Sequence, residues 1–184
     1  MDMNFDVKKV FQDRLAASMG LDKYHFILDQ VRKTDISTDA EFQRTFNGFY
    51  IVRRNAAWRK TYYDLFEQVK SGTPTFESIL IYMYEHTGNI EASFSSKMLA
   101  TIFPEKPIWD QYVVQNLNME LVGSTKQERL HNAIAVYANI EKWYAEFLQT
   151  NKAKECIEAF NQLMPDYKHI SNIKKIDSIL WSMR

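Results

Sequence analysis

A lysine and an aspartate thirteen positions apart are the residues best suited to chemistry in this chain. The stretch from Ser93 to Val114 carries Lys97 in a helical pattern, then a turn from Pro104 to Pro107, then Asp110. In helical register Lys97 shares a face with Ser93, Phe94 and Thr101. Asp110 opens the next helical pattern, where its carboxylate can accept backbone N–H groups. A lysine amine becomes nucleophilic when desolvation disfavours its charged form, and a carboxylate nearby steadies developing positive charge. The two needs conflict, because a close carboxylate favours the ammonium, so burial has to dominate. A plainer reading fits the same residues: Asp110 as a helix cap, and Lys97 as a surface lysine or an ion-pair partner of Glu91 or Asp110.

A second stretch suits nucleic acid. Between residues 41 and 60 five basic side chains (Arg44, Arg53, Arg54, Arg59 and Lys60) face one acidic residue, Glu41. Phe46, Phe49, Tyr50, Trp58, Tyr62 and Tyr63 are interleaved with them or follow closely. Arginines that hold phosphates beside aromatics that stack on bases make a nucleic-acid surface, with Arg53, Arg54, Arg59 and Lys60 as its DNA-binding set. The alternative is structural. Trp58, Tyr62 and Phe66 keep helical spacing and suit a core, and the arginines suit a solvated face. A third stretch, Glu85-His86 to Glu91, lacks a complete ligand set and reads as a polar loop.

Helices must position all of these groups. Apolar residues recur at three- and four-residue intervals nearly throughout, which predicts about ten amphipathic helices. The first spans about Val7 to Met19 and the second about Lys23 to Lys33. Thr38 and Asp39 offer caps for the third, and Asn55 caps the fourth, which runs to Lys70. Ser71-Gly72-Thr73-Pro74 is a break. The fifth helix ends before Gly88, and the sixth spans about Ile90 to Phe103. The seventh spans about Asp110 to Leu117. Thr125 and Glu128 form a capping box for a long eighth helix. The ninth covers Lys152 to Met164, and the tenth about Ser171 to Ser182.

Composition agrees with this reading. Of 184 residues, 46% are hydrophobic and 25% charged, which excludes wholesale disorder, and only 5 glycines and 4 prolines argue against a turn-rich β fold. The expectation is an all-α, compact single-domain bundle spanning residues 1–184, with two helical halves and a cleft between them left open as a variant. In that variant the Ser71–Pro74 turn is the seam. The lone Cys156 reads as a buried, inert thiol. Four scattered histidines give no zinc spacing, so no metal and no cofactor are expected. Neither a secretory leader nor a membrane span is apparent, and the cytoplasm is the expected compartment. Balanced charge, 23 basic against 23 acidic, counts mildly against a nucleic-acid binder and leaves the basic stretch to carry one.

The string Ser96-Lys97-Met98-Leu99-Ala100, followed by Pro104 and by Pro107-Ile108-Trp109-Asp110, resembles the lysine helix and aspartate turn of the helix-hairpin-helix DNA glycosylase superfamily. More narrowly, it is similar to bacterial relatives of 8-oxoguanine DNA glycosylases. The closing segment Ile173 to Trp181 also resembles the last helix of small helical proteins that carry this string. The resemblance implies a DNA glycosylase/AP-lyase-like protein acting on damaged bases. Lys97 would then be the nucleophile at the sugar C1′, and Asp110 the assisting carboxylate. Two features depart from the family pattern. Two glycines normally precede the lysine, whereas here Gly88 stands alone nine residues upstream, and the lysine-to-aspartate spacing of 13 is short. The alternative is a non-catalytic helical module that binds a protein or a nucleic acid, with oligomeric state open.

Overall fold

Side-chain oxygens decide where most of the helices start. In the computed structural model, which describes residues Gly20–Ser182, the chain is all-α, and the described residues contain no strand. The expected helix at Val7 to Met19 lies outside the described residues. The described chain divides into two compact units, Gly20–Phe103 and 104–182. The Ser71–Pro74 turn is internal to the first of them.

The first unit holds α1 (Leu21–Gln30), α2 (Ala40–Tyr50), α3 (Ala56–Val69), α4 (Phe76–Thr87) and α5 (Ala92–Ile102). Gly20 precedes α1 at φ +60°, and a Cβ there would meet the Phe49 ring at 3.2 Å, so both conformation and space favour glycine. The Asp39 carboxylate accepts from the Glu41 and Phe42 N–H groups, each at 2.9 Å, and so caps α2. Asn55 does the same for α3 through Trp58 N–H at 2.9 Å. Thr75 and Ser78 cap α4 reciprocally.

Aromatic rings make the centre of this unit. Phe42 and Phe46 of α2 are fully buried against Tyr62 and Phe66 of α3. The Phe46 centroid lies 5.7 Å from Phe66 and 5.9 Å from Tyr62, tilted or edge-on contacts that suit ring quadrupoles. Arg32 ties two helix ends together, donating to the carbonyl of Lys70 at 2.9 Å and of Ile102 at 3.3 Å. Carbonyls at helix C-termini lack intrahelical partners, and a guanidinium satisfies them well.

The second unit holds α6 (Gln111–Asn116), α7 (Lys126–Phe147), α8 (Asn151–Leu163), a 3-10 turn (Pro165–Tyr167) and α9 (Asn172–Ser182). The Thr125–Glu128 capping box opens α7 as its spacing predicts. Pro165 ends α8 and starts the 3-10 turn, since proline lacks the N–H that would continue the helix. The α9 helix packs on α8 and α6, burying Ile176, Ile179 and Leu180. Tyr137 of α7 donates to the Pro107 carbonyl at 2.9 Å, and Ser171 donates to that of Pro104 at 2.7 Å. These bonds hold the segment that leads to Asp110. No helix of the described residues is long and apolar enough to cross a membrane.

Candidate functional site

Lys97 and Asp110 fall in different units. Lys97 lies in the middle of α5, whose nine buried residues include Ser95, Ser96 and Thr101 as well as the apolar ones. It is 9% exposed. Its Nζ lies 5.0 Å from the Phe94 ring centroid, one turn earlier, and 5.7 Å from that of Tyr50, the last residue of α2. Aromatic faces attract a cation through the ring quadrupole. The aliphatic stem is therefore packed and the amine is bordered by rings, a setting unlike that of the surface lysine the sequence also allowed.

The loop after α2 carries two of the basic residues, Arg53 and Arg54. Ile51 stands at φ +54° and ψ +50° with 57% of its surface exposed. A left-handed conformation is unusual for a β-branched residue and marks local strain. The chain reverses there and leads into Arg53 and Arg54, both exposed. Arg54 pairs with Glu91 at 2.7 Å. Its guanidinium carbon also lies 5.6 Å from the Trp58 ring centroid and 5.3 Å from that of Phe94. Glu91 is 3% exposed and accepts a second hydrogen bond from the Trp58 indole at 3.0 Å. Although Glu91 is the N-cap residue of α5, its side chain makes no capping bond; its oxygens go to Arg54 and Trp58 instead.

The remaining basic positions separate from these. Arg59 is half-buried on α3, and Lys60 is an exposed partner of Asp64 at 2.6 Å. The structure thus brings Lys97 and Arg54 to one ring, Phe94, and leaves Arg53 and Lys60 at the surface. Tyr62, which sequence reasoning assigned to either a base-stacking face or the core, is fully buried, and its hydroxyl donates to the Phe94 carbonyl at 2.9 Å. Burial pushes that phenol well above its usual range.

Asp110 is half-buried just ahead of α6, and its backbone carbonyl accepts from Val114 N–H at 2.9 Å. Sequence reasoning missed the polar groups of this unit. Lys174 and Asp177 of α9 form a buried pair at 2.7 Å. Tyr144 of α7 is fully buried, and its hydroxyl has no hydrogen-bond partner among the described residues. Desolvation first, then the negative charges of Asp177 and Asp110, push its ionisation well up. Their spacing in sequence, three residues for Lys174 and Asp177, was a visible signal; the approach of Tyr144 was not.

Two further expectations are placed. His86 stacks on Tyr82 at 3.8 Å, and its Nδ1 lies 2.8 Å from the Tyr82 carbonyl oxygen. Among the described residues no three His, Cys, Asp or Glu side chains gather as metal ligands. Cys156 is buried, and burial raises its thiol to about 11, which removes the thiolate that reactivity needs. A shallow open hollow over the start of α7, lined by Thr125, Glu128, His131 and neighbours, contains neither Lys97, Asp110 nor any of the four basic DNA-binding candidates. Comparison with protein-family models, with curated proteins and with solved structures gives no match.

Proposed function

We propose that this chain is a DNA glycosylase/AP-lyase-like protein whose nucleophile is the Lys97 amine. The observation that carries the reading is the setting of that residue: Lys97 as a whole is 9% exposed, with Nζ 5.0 Å from the Phe94 centroid and 5.7 Å from that of Tyr50. Nucleophilic lysines need a desolvated environment, which burial supplies; the ring faces by themselves favour the ammonium, so burial has to dominate. In the reaction the amine nitrogen bonds to C1′ of a flipped-out nucleotide and the base departs with the glycosidic electron pair. Opening of the sugar ring then leaves an imine on Lys97. Asp110 is assigned as the carboxylate that steadies the cationic charge, on the strength of the Pro-Ile-Trp-Asp string. Arg53, Arg59 and Lys60 are assigned to phosphates, which fix the register of the DNA without reading its bases.

Borohydride reduction of the imine tests this. Wild-type protein incubated with a duplex containing 8-oxoguanine or an abasic site should yield a covalent protein–DNA adduct. Lys97→Ala should yield none, and Asp110→Asn should slow its formation at least tenfold. Absence of any adduct with the wild type on both substrates overturns the lyase reaction.

A second reading, a non-catalytic helical module that binds a protein or a nucleic acid, draws on one observation. Two of the four cations that the sequence groups as a DNA-binding set, Arg54 and Lys60, are already in ion pairs within the chain. Binding to undamaged duplex without an adduct, weakening steeply with salt, would identify a nucleic-acid module; binding that ignores salt would point to a protein partner.

A further inference from the structure

Phe94 is held from several directions. Its carbonyl accepts from the Tyr62 hydroxyl at 2.9 Å, and its ring meets the Trp58 ring at 4.9 Å, 63° apart. The Arg54 guanidinium carbon stands 5.3 Å from its centroid and the Lys97 Nζ 5.0 Å. Arg54 is itself held by Glu91 at 2.7 Å, and Glu91 by the Trp58 indole at 3.0 Å. A chain of contacts therefore runs from Glu91 through Arg54 and Phe94 to Lys97, and Trp58 touches its first three members. We infer that Arg54 is a positioning residue for the Lys97 amine, acting through Phe94, and not a ligand of DNA phosphate. The inference rests on the reading of Lys97 as the nucleophile.

A DNA phosphate would have to compete for Arg54 with a partner it already holds. To reach a phosphate, Arg54 would have to leave a carboxylate that is 3% exposed. A buried charge stripped of its counter-charge is strongly disfavoured. Arg53, its exposed neighbour, pairs with no carboxylate among the described residues. A planar guanidinium is also the cation best suited to lie against two rings, a role a lysine cannot reproduce. The pair joins residues 37 positions apart, the loop after α2 and the start of α5, so it sets the place of Phe94 relative to that loop.

Four variants of the full chain test this: Arg54→Ala, Arg54→Lys, Glu91→Gln and Arg53→Ala. With an abasic-site duplex at saturation, Arg54→Ala and Glu91→Gln should lower the rate of borohydride trapping about tenfold. The slope of log binding constant against log salt should not change in either. Arg54→Lys should fail to restore the rate. Arg53→Ala should instead lower the slope by about 0.9, the value for one lost phosphate contact. Lys97 labelling by trinitrobenzenesulfonate, read by peptide mass spectrometry with exposed Lys60 as internal control, needs no DNA. It should rise at least threefold in Arg54→Ala and in Glu91→Gln as Phe94 loosens. Glu91→Gln keeps an acceptor for the Trp58 indole and decides the matter if Arg54→Ala does not fold. A salt slope lowered by about 0.9 in Arg54→Ala, or unchanged Lys97 labelling in Glu91→Gln, overturns the inference. A wild-type protein that forms no adduct sinks the proposed reaction alone, because the labelling still reads Arg54.

Discussion

In the unit Gly20–Phe103 the buried carboxylate is Glu91, and its cation arrives from a loop 37 residues away with 42% of the Arg54 side chain still in water. In residues 104–182 the buried pair is Lys174 and Asp177, three residues apart on α9, with side chains 10% and 8% exposed. The difference matters energetically. Arg54 gives up only part of its hydration, and Glu91 gains a second donor in Trp58. Lys174 and Asp177 both leave water, which costs two desolvations. The first pair also joins distant segments, whereas Lys174 and Asp177 stand on one helix. A buried pair is thus evidence of tertiary constraint only when its members come from different elements.

The largest expected effect is alkaline, and it tests whether the two units bury ionisable groups alike. Burial raises Tyr62 and Tyr63 in the first unit, and Tyr137, Tyr144 and Cys156 in the second. A group raised in the folded state contributes stability that is full below its unfolded value and is lost as pH climbs towards the folded one. The loss should begin near 9.0 with the thiol and deepen beyond 10.0 with the phenols. Thermal melts followed by circular dichroism from pH 7 to 12 should therefore hold level to about pH 9 and fall steeply above it. Melting that stays flat through about pH 11 contradicts the burial of these groups.

The next effect separates the ion pairs. Lys174→Met strands Asp177 and should cost about 3–5 kcal/mol in urea unfolding. Arg54→Ala should cost less, about 2 kcal/mol, because Glu91 keeps its bond from Trp58. Equal losses in the two single variants would erase the distinction. The smallest effect concerns helix starts, where the units should agree. Asp39→Ala in the first and Thr125→Ala in the second should each lower stability by about 1 kcal/mol in the same assay. A cap whose loss goes unmeasured would show that its helix start is held by packing instead.

Much of the fold was legible in the sequence. The caps at Asp39, Asn55 and Thr125 and the proline stop at Pro165 all lie where residue type and spacing put them. The helical register of Trp58, Tyr62 and Phe66 correctly marked a core face. The candidate site was less legible. The sequence grouped Arg53, Arg54, Arg59 and Lys60 as one basic set, yet Arg54 is committed to Glu91, and Lys60 pairs with Asp64 on its own helix. The i, i+4 spacing of Lys60 and Asp64 announces their pairing. Nothing local announces that of Arg54 and Glu91.

The sequence by itself determined the helices, because a helix end is settled within four or five residues by which oxygen meets which orphan N–H. It also nominated Lys97 and Asp110 through a local string of residues. Only the tertiary structure decided that the Lys97 amine sits against Phe94 and Tyr50, and that Arg54 faces inward to a buried carboxylate. Those outcomes depend on which helices pack together, and packing is chosen by the summed burial of many side chains far apart in the chain.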